Sequence, residues 1–270
     1  MLSNKPLGII LYQGNSLFDG ERIVVIATGV FSNKSENRKL GEMIQTWILR
    51  ADIPPILAAK LGEDKSICSC CKHRFTRMNS CYVNLAHGPH NVYNAYHRNR
   101  YVKYTPDMFK HFVGKNVRIG SYGDPGAIPF EIWDNICSVA KTVTGYSHQF
   151  KTCDQRLKKY CLASTDSEKE YFEAQGMGWR TFRIRLQDSP VLEDEIICRA
   201  SLKTNKNITC STCGLCNGVS KGLSKNITIV AHGVDFKVNN FRKGMKAIKN
   251  KKRYILTENE KLEKLRTSLV

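Results

Sequence analysis

The feature that most constrains the fold is a succession of short β-type runs with helical segments between them. Residues 129–140 and 167–175 are the clearest helical patterns, and the β-type runs are residues 117–121, 142–148, 160–164, 180–186, 195–200 and 227–231. Such alternation is typical of parallel βα units. With one further strand near the N-terminus, the number of predicted strands approaches the eight of a (β/α) barrel. Several connections between them are too short for full helices. We therefore predict an α/β fold, organised as an irregular or incomplete (β/α) barrel.

The N-terminal part of the sequence has a different pattern. Residues 21–30 and 42–49 are β-rich and predict a hairpin with a long polar tip. Helical patterns follow at residues 52–61, 91–101 and 105–113, the last with a threonine N-cap and a proline at its first position. We treat residues 1–235 as one barrel-like domain that includes this hairpin. Residues 236–270 form a basic C-terminal tail or helix.

Charge and composition narrow the class of protein. Lysine and arginine number 42 against 24 acidic residues, which gives a formal net charge of +18. With 41% hydrophobic residues, the composition excludes a wholly disordered or fibrous chain. No apolar run approaches the roughly 20 residues that cross a bilayer, and residues 1–10 lack the pattern of a secretory signal. We expect a protein of a reducing cytoplasm, with a negatively charged partner and no membrane association.

A strongly basic segment spans residues 237–253, with eight cations and no acid. We expect nucleic-acid contacts from seven of these cations, and the alternative is a solvated surface. The seven are Arg242, Lys243, Lys246, Lys249, Lys251, Lys252 and Arg253.

Eight of the eleven cysteines fall into two tight groups, which indicates metal ligands rather than a disulfide scaffold. The second group along the chain has the spacing C-x11-C-x2-C-x2-C and consists of Cys198, Cys210, Cys213 and Cys216. Four thiolates complete the first shell of a zinc ion or a [4Fe–4S] cluster. The unbroken C-x2-C-x2-C run favours the cluster, and zinc is the alternative.

The first group contains Cys68, Cys71 and Cys81, spaced C-x2-C-x9-C, with Cys70 as a spare thiol. Three thiolates leave an open coordination position, unless His73 supplies a fourth ligand. The sequence leaves both alternatives open. The remaining cysteines, Cys137, Cys153 and Cys161, fit small core residues.

Polar residues lie in or just after most of the later β-type runs. The carboxyl ends of parallel barrel strands converge on one mouth, so we expect these side chains to share a pocket. We assign proton transfer to Asp124, His148, Asp166 and His232, and phosphate binding to Arg183 and Arg185. Helix capping is the alternative for the two aspartates.

Several segments resemble an uncharacterised family of phage- and plasmid-borne proteins. They are residues 67–74, 81–84, 118–125, 144–149, 178–183, 210–218 and 229–233. More distantly, a cysteine group that leads into successive βα units resembles the radical S-adenosylmethionine barrels. Here C-x2-C-x9-C stands in place of their usual C-x3-C-x2-C, and no Gly-Gly-Glu follows. This resemblance implies S-adenosylmethionine as a cofactor.

Together these observations predict an iron–sulfur, radical-S-adenosylmethionine-like enzyme that acts on a nucleic acid or nucleotide and is encoded by a phage or mobile element. The alternative is a non-catalytic, zinc-stapled protein that binds nucleic acid.

Overall fold

The computed structural model describes residues 5–31, 40–202, 207–219, 222 and 224–249. The strands of this part are β1 Gly8–Asn15, β2 Arg22–Thr28, β3 Ile44–Arg50, β4 Tyr101–Lys103, β5 Asn116–Tyr122, β6 Thr142–Thr144, β7 Tyr146–Ser147, β8 Leu162–Thr165, β9 Thr181–Arg185, β10 Glu195–Ile197 and β11 Asn226–Val230. The α-helices are α1 Pro55–Leu61, α2 Lys65–Cys68, α3 Gly88–His97, α4 Phe130–Cys137, α5 Glu168–Gly176, α6 Cys210–Cys213 and α7 Asp235–Lys249. Short 3-10 helices span Pro106–His111, Pro125–Ala127, Gln155–Lys159 and Arg199–Ser201.

The first sheet contains the predicted hairpin. Its strand order is β4-β1-β2-β3-β5-β6, and β2 pairs antiparallel with β3, as the sequence predicted. β1 adds a further antiparallel strand beside β2, and β3, β5 and β6 are parallel neighbours. Residues 23–27 of β2 are all buried, because the strand lies in the middle of the sheet with apolar side chains on both faces.

The second sheet is parallel throughout, in the order β10-β11-β9-β8-β7. Gly145 alone separates β6 of the first sheet from β7 of the second. A side chain at this position would begin 2.6 Å from Cγ1 of Ile119 and 2.8 Å from Sγ of Cys161, so glycine permits the close approach of the backbone. The mixed α/β class and the N-terminal strand pair are confirmed, and closure into a barrel stays a prediction.

Helix α4 contributes buried side chains to the main hydrophobic core. Trp133 of this helix is fully buried, and its indole N–H donates a hydrogen bond to the carbonyl of Pro125 at 2.9 Å. Cys137, Cys153 and Cys161 are buried in the same apolar cluster, which agrees with their interpretation as core residues.

Two predicted helices differ from the structure at their ends. The predicted helix 91–101 begins and ends earlier, as α3, and Asn99 follows it with a left-handed backbone at φ 54°. The predicted helix 105–113 is a short 3-10 helix, which does begin after Thr105 with Pro106 at its first position.

The first part of the predicted basic tail is α7. This helix packs on the segment that precedes α3, where the Asn240 side chain donates to the carbonyl of Asn79 at 3.2 Å. Phe241 and Ala247 of α7 are buried. The side chain of Lys249, and all of Lys251, Lys252 and Arg253, lie outside the described residues. A division of the chain at residue 235 stays a prediction.

Candidate metal and catalytic site

Three of the predicted strand-end residues meet at the carboxyl edge of the parallel strands. Asp124 follows β5, His148 follows β7 and Asp166 follows β8. The backbone N–H of His148 donates to Oδ2 of Asp124 at 2.8 Å, and the Ser147 hydroxyl donates to Oδ1 at 2.8 Å. The Asp124 carboxylate therefore joins the ends of β5 and β7.

Asp124 also caps the 3-10 helix that follows it, since Oδ1 accepts the N–H of Gly126 at 2.9 Å. Asp124 therefore both caps a helix and lies in the predicted pocket, so the two alternatives considered for this aspartate are compatible. Burial raises the pKa of Asp124 to about 6, although its hydrogen bonds act in the opposite direction. A carboxyl group with a pKa in this range can exchange a proton close to neutral pH.

His73 joins these residues from the loop after α2. Its Nε2 lies 2.9 Å from Oδ2 of Asp166, and its Nδ1 lies 2.7 Å from the Ser80 hydroxyl. The ring centroid of His73 is 5.1 Å from that of His148. The sequence suggested His73 only as a fourth ligand of the thiol group, and nothing in its spacing pointed to Asp166.

One ligand atom from each of His73, His148 and Asp166 lies within 4.8 Å of the other two. Among the described residues, this is the one set of three histidine, cysteine or acidic ligand atoms that are so close together. Nε2 of His148 and Oδ1 of Asp166 are buried and have no hydrogen-bond partner in that part of the chain.

Lys72 balances the charge of Asp166. Its Nζ lies 3.1 Å from Oδ2 of Asp166 and 2.7 Å from Oε1 of Glu170, and Glu170 also accepts the N–H of Asp166 at 2.8 Å. Burial by itself would raise the pKa of Asp166, but His73 and Lys72 outweigh it and hold this pKa well below its usual range. Burial, together with the charge of His73, lowers the pKa of His148 to about 3.

The predicted thiol group borders this cluster. Cys68 ends α2, and Cys71 and Cys81 lie in the loop that carries His73. Burial raises the pKa of all three thiols. The backbone N–H of Asp124 donates to the carbonyl of Ile67 at 2.6 Å, one residue before Cys68, so the start of the thiol loop contacts the carboxylate side of the site. The charges of Asp166 and Asp124 also raise the pKa of the Cys71 thiol.

Gln149 connects the thiol loop to β7. Its amide N–H donates to the carbonyl of Cys68 at 3.2 Å, and its Oε1 accepts from the Cys70 thiol at 3.1 Å. The spare cysteine therefore has a partner in the protein and is exposed.

The second cysteine group surrounds α6, whose N-terminus is closed by a capping box between Thr209 and Thr212. Burial raises the pKa of Cys216 to about 12, and the neighbouring thiols raise it further, namely Cys198, Cys210 and Cys213. The four thiols therefore interact electrostatically, although no three of their sulfur atoms, all of them in described residues, lie within 4.8 Å of one another. The metal assignments of both groups stay predictions.

A buried arginine holds the segment that contains the second group. The guanidinium of Arg180 donates to the carbonyls of Leu215 at 2.9 Å, Gly218 at 2.8 Å and Lys225 at 3.0 Å. These carbonyls lie on both sides of Cys216, so Arg180 ties the backbone around the last cysteine to the start of β9.

The predicted phosphate ligands have partners inside the protein. Arg183 forms a two-pronged ion pair with Glu195, with both N–O distances at 2.6 Å, and is 2% exposed. Arg185 donates to the carbonyl of Ser189 at 2.8 Å. His232, the remaining predicted proton carrier, is exposed at the end of β11, with Nδ1 2.9 Å from the carbonyl oxygen of Val230. The roles of these three residues stay predictions.

Three of the predicted nucleic-acid contacts are described, and Arg242, Lys243 and Lys246 are all exposed on α7. The helix lies beside the site, since the Phe241 ring is 5.8 Å from the His73 ring.

No family model, curated protein or solved structure matches this chain. The phage-family and radical S-adenosylmethionine resemblances therefore stay predictions. Within the described residues, no helix has the length and apolar character to span a membrane.

Proposed function

We propose that this chain is an iron–sulfur enzyme, related in design to the radical S-adenosylmethionine barrels, that acts on a nucleic acid or nucleotide in the cytoplasm of a host cell. The observation that carries the proposal is the contact between a three-thiol loop and a buried polar cluster. His73, in the loop between Cys71 and Cys81, contacts Asp166 at 2.9 Å, at the edge where catalytic residues gather in parallel α/β proteins.

The strand order supports the barrel-like part of the proposal. Apart from β4, which pairs with β1, the strands β3, β5 and β6 of the first sheet and β7, β8 and β9 of the second are neighbours in chain order, and their pairings are all parallel. Sequential order of this kind is typical of barrels, whereas doubly wound folds reverse direction within the sheet. The thiol loop follows β3, the first of these strands.

The donor set fits a cluster with one open position. Cys68, Cys71 and Cys81 supply three thiolates, and the two ring nitrogens of His73 face Ser80 and Asp166. A bound cluster would supply one-electron chemistry. The chain's own Asp124, with its raised pKa, would hold or release a proton beside the substrate.

The basic helix supports a nucleic-acid or nucleotide substrate. Arg242, Lys243 and Lys246 are exposed on α7, the helix whose Phe241 contacts His73. Phosphates attracted to this helix would lie close to the thiol loop. Electrostatic attraction of this kind is independent of nucleotide sequence.

The test is metal analysis of the full chain purified anaerobically, with an absorption spectrum of the same sample. We expect iron with acid-labile sulfide and a broad visible band. Cys71→Ser should lose a substantial part of the iron, whereas Cys70→Ser, at the neighbouring exposed thiol, should keep it. Equal iron in both variants would contradict the assignment of the first group.

The second candidate is a non-catalytic, zinc-stapled protein that binds nucleic acid. The turn after α6 favours this candidate. Arg180 donates a hydrogen bond to the carbonyl of Gly218, and Gly214 ends α6 in a left-handed conformation. A structural zinc site uses a turn of this kind to present its cysteines. Zinc in place of iron at both groups would support this candidate.

A further inference from the structure

We propose that His73, His148 and Asp166 form a binding site for one divalent first-row transition-metal ion, separate from both cysteine groups. This site goes beyond the proposed function. It uses nitrogen and oxygen ligands rather than thiolates, and it would exist whichever metal the cysteines bind.

Three ligand atoms from three different segments lie within 4.8 Å of one another. Ligands held about 2.0–2.2 Å from one ion lie at most about 4.4 Å apart, so small side-chain shifts would suffice for a shared ion. His73 comes from the loop after α2, His148 from the end of β7 and Asp166 from the end of β8. Two of these segments are anchored to strands, so the site rests on rigid elements.

Two buried polar atoms of these ligand residues lack a partner. Nε2 of His148 and Oδ1 of Asp166 are buried, and neither has a hydrogen-bond partner among the described residues. Buried polar atoms are nearly always paired with protein, water or an ion. A metal ion would satisfy both atoms at once.

The surrounding hydrogen bonds are those of a supported metal site. Ser80 lies 2.7 Å from Nδ1 of His73 and can accept that N–H, which makes Nε2 the ligand nitrogen. Nε2 lies 2.9 Å from Oδ2 of Asp166, a contact that the ion would replace when it binds Nε2. Asp124 holds the backbone of His148 at 2.8 Å. Such outer partners fix the tautomer and the orientation of ligating histidines.

Lys72 is the lysine that contacts the proposed ligand Asp166. Its Nζ contacts Oδ2 of Asp166 at 3.1 Å and Glu170 at 2.7 Å, which leaves Oδ1 of Asp166 for the ion. The two carboxylates and one ammonium carry a net charge of −1, so a divalent cation would add a charge of +2 to a slightly negative site. Glu170 keeps Lys72 in place while the ion binds.

The donor set selects the class of metal. Two imidazole nitrogens and one carboxylate suit zinc, iron(II), cobalt or nickel, whereas magnesium and calcium prefer all-oxygen sites and copper(I) prefers thiolates. Three protein ligands leave a coordination position for water or substrate, as in catalytic metal sites.

The test is zinc binding to crystals of the full chain, with anomalous diffraction recorded on both sides of the zinc absorption edge. We expect a peak at about 2.0–2.2 Å from the ligand atoms of His73, His148 and Asp166. His148→Gln and Asp166→Asn should each remove this peak and leave any zinc at the cysteine groups. His87→Gln, at an exposed histidine, is the matched control and should keep it.

The outcomes separate this proposal from the proposed function. A wild-type crystal with zinc at the cysteines and none at the His73–His148–Asp166 site would overturn the inference and leave the thiol centres intact. A peak at this site with no metal at the cysteines would support the inference while the proposed function fails. Should one variant not fold, the wild-type peak and the other variant still decide.

Discussion

Arg74 and Asp64 form a buried ion pair under the thiol loop, and its removal gives the sharpest stability prediction. Nη2 of Arg74 lies 2.7 Å from Oδ1 of Asp64, and the two side chains are 2% and 5% exposed. The guanidinium also donates to the carbonyls of Ser69 at 3.0 Å and Gly62 at 2.5 Å. Arg74→Met would leave a buried carboxylate without this counter-charge, at a cost of about 3–5 kcal/mol in the free energy of unfolding.

Urea unfolding followed by circular dichroism measures this loss. The double variant Arg74→Met/Asp64→Asn removes both charges and should recover part of the loss, with a coupling energy of about 1 kcal/mol or more. Arg156→Met is the control, because Arg156 is 57% exposed and pairs with Asp154 on the surface. We expect the control to lose about 1 kcal/mol or less. An equal loss in Arg74→Met and Arg156→Met would refute the reasoning.

Three further predictions concern the second cysteine group, the basic helix and pH. Arg180→Met should lower the free energy of unfolding in urea by about 2–4 kcal/mol and reduce the amount of bound metal, because three backbone carbonyls lose their charged donor. Unchanged stability would contradict this prediction. The second variant replaces Arg242, Lys243 and Lys246 with glutamine, and fluorescence anisotropy measures its binding to duplex DNA. The slope of log affinity against log salt concentration should decrease in magnitude by up to about 0.9 for each lost phosphate contact. An unchanged slope would show that α7 does not contact the DNA. Burial lowers the pKa of His148 to about 3, whereas a histidine in an unfolded chain has a pKa near 6.5. The unfolded state therefore binds the extra proton more readily when the pH falls from about 6.5 towards 3. In chelator-treated wild type, this group should lower the free energy of unfolding by up to about 1.4 kcal/mol per pH unit in that range. His148→Gln should lack that contribution, and parallel stability curves for the two proteins between pH 7 and 5 would contradict it.

Local pattern predicted much of the secondary structure. The hairpin strands β2 and β3, the parallel strand β5 and the helix α5 with its Ser167 cap all follow from residues that are near in sequence. β1 was missed, since a register irregularity between Ile10 and Tyr12 interrupts its alternation. The pairing of the three-residue β4 with β1, and the change of sheet at Gly145, depend on distant contacts that local pattern does not contain.

In the site as well, residues that follow β-type runs were predictable from the sequence, and residues in irregular loops were not. Asp124, His148 and Asp166 were predicted to meet because each follows a β-type run, and the sheet brings them together. His73 reaches them from an irregular loop with no periodicity. The ion pair of Arg183 with Glu195 was also invisible, because an arginine at a strand end is equally suited to an internal carboxylate and to a phosphate.

The central claim is that the first cysteine group holds an iron–sulfur cluster with an open position. The most direct measurement is electron paramagnetic resonance of the anaerobic, reduced full chain, before and after addition of S-adenosylmethionine. We predict a cluster signal that is lost in Cys71→Ser, is retained in Cys70→Ser and changes when S-adenosylmethionine binds. A protein that contains zinc, lacks iron and gives no signal in any of these samples would contradict the account.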